Sequence, residues 1–375
     1  MSARAIRAAR FLGLLLMAGC AADTDSVHGP VAGAEERIVN VYNWNDYIGK
    51  STLADFEAKT GIKVVYDTFD SNEILETKLL TGHSSYDVAF PTATIVGRLA
   101  RAGALMELNK SLLPNLGNIA LEAMRTVAVN DPGNAHSVAY MTGTIGLGYN
   151  PELVQKALGT RRLDSWAAVF DPAIASKLAE CGITLLDSPE DVFDAAEFYL
   201  GTDTGNESLQ ELAAAEQLVK AVRPYVRSFD TTQHLNALAA GDICVSLSWT
   251  NLVLQARYRG TEAARPVEIT YVIPKEGSSQ WFDTMAIPAN APHVANAHAF
   301  INFLMEPEVI AAISNDIGCA NGNGASVPFL RPDLKDDPSI TPNADVQARL
   351  RPSYARSQAY SREVNRAWTR IKTGQ

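Results

Sequence analysis

The sequence predicts an α/β protein built as two units, each a mixed β-sheet flanked by helices, with a hinge where the chain crosses between them. Three observations carry that expectation. Short apolar runs alternate with amphipathic segments from Ile38 onward. The chain has 375 residues, 47% of them hydrophobic, enough for two cores of ordinary size. The extended run Ser137–Tyr149 carries Gly143, Gly146 and Gly148, which suits a hinge.

Residues 1–20 have the pattern of an export leader. Arg4, Arg7 and Arg10 precede an apolar segment over 11–17, too short to span a bilayer, and Ala18-Gly19 lead into Cys20. Small residues before a cysteine resemble the lipobox of bacterial lipoproteins, in which that cysteine becomes the lipidated first residue. Met17 stands where leucine is more usual, and a plain signal peptide is the alternative. Residues 21–36, rich in Ala, Gly, Asp and Glu without apolar periodicity, suit a tether. Removing residues 1–19 takes away three arginines and no acid, so the net charge moves from −10 to −13. That balance argues against a nucleic-acid partner and favours a cationic one.

In the first unit the spacing predicts a strand over 38–42, a helix over 51–59 with Leu53 and Phe56 on one face and Gly61 as its stop, and a strand over 62–66. Ser71 or Asn72 then caps a helix carrying Ile74, Leu75, Leu79 and Leu80 that ends at Gly82. A strand over 86–90 is stopped by Pro91, and a helix follows over 94–101. In the second unit come a strand over 183–186, a helix opened by Ser188-Pro189 and running to Leu200, and a helix over 207–222. A strand over 243–247 leads to Trp249 and a helix to about Tyr258; strands over 267–273 and 281–287 follow, the second returning to the first unit. Helices over 295–305 and 307–316 and a helical tail complete the pattern.

Aromatic residues and carboxylates recur at the ends of these runs. Trp44-Asn45-Asp46-Tyr47 closes the first strand, Trp281-Phe282-Asp283 opens a late one, and Ser248-Trp249 closes a third. One aromatic at a strand end is ordinary packing; three, two of them with acids, suit an organic cation, whose charge is drawn to ring faces and whose ammonium groups pair with acids. Trp44, Thr92, residues 187–191 and Trp249 fall at carboxyl ends of strands, where open α/β sheets gather ligands, and a cleft between the two units would collect them.

Catalytic and cofactor motifs fit poorly. Gly146-x-Gly148 lacks the third glycine of a dinucleotide loop; no Gly-x-x-x-x-Gly-Lys-Ser/Thr or Gly-x-Ser-x-Gly occurs; and Asn321-Gly322-Asn323-Gly324 suits a turn cluster. The histidines at 28, 83, 136, 234, 293 and 298 have no metal-binding spacing. Neither an enzyme, a cofactor nor a metal is expected. With Cys20 set aside, Cys181, Cys244 and Cys319 are an odd number; Cys181 precedes the apolar run 183–186 and Cys244 lies within the run 243–247, so a disulfide between these neighbouring elements is plausible in an exported protein and leaves Cys319 free.

Several motifs resemble the periplasmic polyamine-binding proteins, the putrescine- and spermidine-capturing subunits of ABC importers. They are Trp44-Asn45-Asp46-Tyr47, Thr60-Gly61-Ile62-Lys63-Val64-Val65-Tyr66-Asp67, Phe69-Asp70-Ser71-Asn72-Glu73, Gly148-Tyr149-Asn150, Gly241-Asp242-Ile243-Cys244-Val245 and Ile273-Pro274-Lys275-Glu276-Gly277. The resemblance implies a hinge-closing two-domain fold with crossovers near Gly143, Gln280 and Asn315: residues 37–142 and 282–314 in one domain, 143–281 and 315–375 in the other. It also implies the Cys181 to Cys244 disulfide. It sets Trp44, Tyr47, Trp249 and Trp281 around a methylene chain, Asp46 and Asp283 on ammonium groups, and Asn45, Thr92 and Thr231 as polar lining. Asp191 stands where the family more often has glutamate, and Trp281 matches the spermidine-binding branch. Leu252 and Cys319 replace an aspartate and a tyrosine of putrescine-type members, removing polar partners from the pocket. The implied protein is a periplasmic monomer, anchored by lipid at Cys20, that delivers a polyamine to an ABC permease in the inner membrane. The alternatives are a sensor docking on a signalling receptor and a member with altered ligand specificity.

Overall fold

The strand Ser137–Tyr149 is thirteen residues long and buried throughout, and the whole sheet is organised around it. The computed structural model describes residues 36–82, 84–262 and 265–374. Cys20, the tether up to residue 35, His28 and His83 lie outside them.

Among the described residues eleven strands form the sheet: β1 (Ile38–Trp44), β2 (Lys63–Phe69), β3 (Val88–Ala89), β4 (Ser137–Tyr149), β5 (Ile183–Leu185), β6 (Val226–Phe229), β7 (Val245–Trp249), β8 (Thr270–Val272), β9 (Ser278–Ala286), β10 (Ala320–Asn321) and β11 (Leu350–Pro352). The order is β2-β1-β3-β9-β4-β7-β5-β6, with β10 and β8 also on β4 and β11 on β9. The outer strands on each side run parallel, β2-β1-β3 and β7-β5-β6, each linked through helices. The central pairs β9-β4 and β4-β7 are antiparallel. β4 is shared: 137–139 and 142–144 pair with β9, with a shift of register between Ala139 and Thr142, whereas 145–149 pair with β7.

Two separate apolar cores flank this shared strand. One gathers Val39, Val41, Phe56, Phe90, Tyr140, Phe300, Ile301 and Ile313 around β1 and β3. The other gathers Leu147, Trp166, Phe170, Ile183, Phe193, Val219, Leu247 and Trp368 around β5 and β7. The sheet and its two cores make this the α/β fold the sequence predicts.

Local differences have physical reasons. In the helix Asn72–Leu80, Leu75 and Leu79 are buried but Ile74 and Leu80 are about half exposed, because one face of a nine-residue helix meets the sheet and four apolar positions exceed it. The strand expected over 86–90 contracts to Val88–Ala89 because the amides of Asp87 and Phe90 bond the Asn40 and Tyr42 carbonyls outside a regular ladder. The strand expected over 243–247 lies at Val245–Trp249; the Cys244 and Val245 amides bond the Gly182 carbonyl first. The sequence reading omitted the helices Leu121–Val127, Pro151–Leu158, Pro172–Leu178 and Gln233–Ala240 and the strand β6. Cys181 and Cys244 form a disulfide, Cα to Cα 5.4 Å, and Cys319 is free and buried. Among the described residues no helix is long and apolar enough to cross a membrane, and no group of three or more His, Cys, Asp or Glu is placed to hold a metal ion.

Candidate functional site

β1 ends in a turn built by Asn43. Its Oδ1 accepts the Trp44 amide at 2.8 Å and its Nδ2 donates to the Tyr47 carbonyl at 3.2 Å, folding residues 44–47 back on themselves. Asp46 takes the left-handed conformation this needs, φ 52°, one that short polar side chains tolerate. Asn45 and Asp46 are exposed, and Trp44 and Tyr47 point inward. The Trp44 ring tilts against Phe69 at 4.5 Å and its indole N–H donates to the Phe90 carbonyl at 2.9 Å. Tyr47 is buried, its carbonyl held by the Tyr140 hydroxyl at 2.8 Å.

The Tyr47 hydroxyl donates to Asp283 Oδ2 at 2.9 Å, and Thr92 Oγ1 donates to the other carboxylate oxygen at 2.8 Å. Thr92 caps the helix Ala93–Arg101 and is set by Asn72, whose Nδ2 donates to Thr92 Oγ1 at 3.0 Å. The cap of the preceding helix is Ser71, and Asn72 serves the site instead. Asp283 is 7% exposed, and among the described residues no Lys, Arg or His forms an ion pair with it. Burial pushes its carboxyl up to about 6, although Thr92 and Tyr47 favour the charged form. Cys319 Sγ lies 3.7 Å from the Tyr47 hydroxyl and 3.5 Å from the Thr142 carbonyl, and burial pushes this thiol up to about 12.

Trp281 stands opposite Gly143 across the β9-β4 pair, and Trp249 opposite Ile145 across the β4-β7 pair. Residues two apart on a strand share a face, as do residues directly opposite each other, so Trp281, Asp283 and Trp249 project from one side of the sheet. Gly143 makes room for the indole: a Cβ there would sit 2.4 Å from Trp281 Cζ2. The Trp249 indole N–H donates to Asp191 Oδ2 at 2.9 Å, and the Ser188 hydroxyl donates to the same oxygen at 2.8 Å. Burial, with the charges of Asp194 and Glu190 nearby, pushes the Asp191 carboxyl up to about 7 against those two donors.

Tyr47, Thr92, Asp283 and Cys319 are thus joined directly, Asp191 and Trp249 form a second joined pair, and Trp281 lies between them in the sheet. Thr231 is half-buried in the turn before the helix Gln233–Ala240. Leu252 packs against the apolar cluster of Leu235, Leu238 and Val253. Asn43, Asn72, Tyr140 and Ser188, which orient the others, were missed as site residues: Asn72 and Tyr140 reach partners 20 and 93 residues away, whereas Asn43 and Ser188 act on neighbours within four residues, which a sequence pattern of caps and strand ends does not single out. An arrangement of aromatic faces around carboxyl groups lacking a protein cation can hold an organic cation by ring attraction and charge-assisted hydrogen bonds.

Comparison with known proteins shows the family. The family model for bacterial extracellular solute-binding proteins matches residues 51–342. The chain is 43% identical over 350 residues to the putrescine-binding periplasmic protein SpuD of Pseudomonas aeruginosa, covering 93% of this chain and 95% of that one. It is 40% identical over 343 residues to the putrescine-binding periplasmic protein PotF of Escherichia coli, covering 91% and 93%. Its fold is similar to the crystal structure of the spermidine/putrescine ABC transporter substrate-binding protein PotD of Streptococcus pneumoniae, with a TM-score of 0.81 and 24% identity, over 90% of this chain and 99% of that one. The match over most of the chain, on a two-core sheet with a shared central strand, makes this protein a member of the bacterial extracellular solute-binding proteins.

Proposed function

We propose that this protein captures a polyamine of the putrescine and spermidine class outside the cytoplasm and delivers it to an ABC permease. The observation that carries this reading is Asp283: a buried carboxyl oriented by Tyr47 and Thr92, two residues from Trp281, with no protein cation paired to it among the described residues. Trp44, Trp249 and Trp281 cover the methylene chain, Asp46, Asp191 and Asp283 take ammonium groups, and Asn45, Thr92 and Thr231 line the path. Residues 37–142 with 282–314 and residues 143–281 with 315–375 act as the two closing domains, and closure on the ligand is what the permease recognises. The protein works as a monomer in the periplasm, anchored by lipid at Cys20. Mass spectrometry of the mature protein should find Cys20 as a lipid-modified amino terminus, and a mature form cut elsewhere would end that part of the reading.

Leu252 and Cys319 set the ligand preference. A short diamine loses a charge-assisted bond without a carboxylate at position 252, whereas a triamine adds methylenes worth about 0.8 kcal/mol each against the indoles and a further ammonium for Asp46, Asp191 or Asp283. Calorimetric titration with putrescine, cadaverine, spermidine and spermine should show spermidine binding more tightly than putrescine. Release of unchanged ligand separates capture from turnover. A preference for putrescine of about tenfold or more would overturn the argument from positions 252 and 319.

A further inference from the structure

The turn 230–232 and the end of β7 are joined by one buried imidazole. His234 lies in the first turn of the helix Gln233–Ala240, and its Nε2 is 2.8 Å from Ser248 Oγ, with both residues buried. Its Nδ1 makes no hydrogen bond and faces Asp230 Oδ1 at 3.9 Å. That oxygen already accepts the amides of Thr232 at 2.7 Å and Gln233 at 2.6 Å. Serine, histidine and aspartate in sequence suggest a hydrolytic relay, but Ser248 has no exposed surface for a substrate to reach and the Asp230 oxygen is engaged by the helix start.

The neighbours of these residues in the chain are the ones that matter. Thr231 lies inside the turn that Asp230 caps, and Trp249 directly follows Ser248. On its other flank Trp249 is tied to β4 through Thr250, whose Oγ1 accepts the Thr144 amide at 2.9 Å and donates to the Thr144 carbonyl at 3.0 Å. On the Ser248 flank the side-chain tie is His234. A neutral imidazole offers a donor on one edge and an acceptor on the other, so a single ring can meet the serine hydroxyl while facing the aspartate.

We infer that His234 is a positioning residue: by tying Ser248 to the turn 230–232 it fixes Trp249 and Thr231 relative to each other, so that the indole and the hydroxyl meet the same ligand. The effect on ligand affinity rests on the polyamine reading, whereas the positioning is a property of the free protein. Both are measured on His234→Leu, His234→Gln and Ser248→Ala in the full protein. In the ligand-free state the readout is hydrogen exchange of the Trp249 indole N–H, assigned by its loss in Trp249→Phe. The indoles of Trp166 and Trp368, bonded to Gly277 and Asp187, serve as internal references. Trp249 should exchange about tenfold faster in His234→Leu and Ser248→Ala while the references stay within about twofold, and His234→Gln, which keeps a polar contact to Ser248, should recover most of the protection. Spermidine affinity should fall about fivefold in His234→Leu and in Ser248→Ala and much less in His234→Gln, and combining His234→Leu with Ser248→Ala should add little, as expected for residues acting as one unit. Unchanged Trp249 exchange in folded variants, or equal acceleration of all three indoles, would overturn the positioning role. Ser248→Ala, which removes one oxygen, keeps the test open if His234→Leu does not fold. If the unmodified protein binds no polyamine, the polyamine reading falls and the exchange result decides the role of His234 by itself.

Discussion

Asp283 brings burial, two oriented hydroxyl donors and an unmatched charge to one position, and its protonation follows from that. Its carboxyl is raised to about 6 and that of Asp191 to about 7, so the ligand-free protein binds protons there that the unfolded chain has already released. The sign for stability is therefore a loss as pH rises through the window from 3.8 to those raised values. Ligand affinity runs the other way, because a cation is held by the ionised acids. Polyamine binding should strengthen between about pH 5 and about pH 7.5, with proton release visible as a dependence on buffer ionisation enthalpy. Equal affinity at the two ends of that range would contradict the assignment. Asp283→Asn keeps the shape and removes the charge, and it should lower affinity by about 2 to 5 kcal/mol while flattening the pH dependence. The chemistry at this position was legible in the sequence, since Trp281-Phe282-Asp283 announces an aromatic beside an acid. Its two donors were not, because Thr92 and Tyr47 are 191 and 236 residues away along the chain and only folding brings them to it.

At the scale of elements, β4 and β9 set the geometry of the site. The shared strand β4 carries Gly143 opposite Trp281 and Ile145 opposite Trp249, so the distance between the two indoles is fixed by its pleat. The glycines of β4 are close-approach positions: Gly143 underlies the Trp281 ring, and at Gly146 a Cβ would meet the Val272 carbonyl and the Tyr271 ring at 2.5 to 2.6 Å. Gly143→Ala should push the Trp281 indole off the strand, and the expected result is a folded protein with about tenfold or greater loss of polyamine affinity. Titration together with tryptophan fluorescence checks this, and retained affinity would mean that the indole position is not used. The sequence marked these glycines as a hinge because glycine-rich extended chain bends easily. Their contact with Trp281 and Tyr271 became visible only with the register, which a sequence pattern of period two leaves open.

For the molecule as a whole, the two cores are joined through the central strands, and the second carries a covalent tie at its edge. The Cys181 to Cys244 bridge spans 63 residues of chain and links the approach to β5 with the approach to β7. Closing a loop of that length restricts the unfolded chain, so Cys181→Ser combined with Cys244→Ser should lower stability by about 2 to 4 kcal/mol in denaturant unfolding. The order of polyamine preference should be unaffected, because the bridge lies at the opposite end of β7 from Trp249. A reordered preference would show that the bridge also shapes the site.

The sequence by itself determined the α/β class, the alternation of strands and helices, the crossing segment Ser137–Tyr149 and the aromatic and acidic residue types at strand ends. These follow from local periodicity, caps and glycine placement, which are written in consecutive residues. Tertiary structure alone decided that Asn72 orients Thr92 rather than capping its helix, that Ile74 and Leu80 remain outside the core, and that Leu252 packs into an apolar cluster. It also decided that His234 reaches Ser248. Each of these depends on which surface a side chain meets across the sheet, and strand order and register, which set that meeting, arise from long-range pairing that no local stretch of sequence encodes.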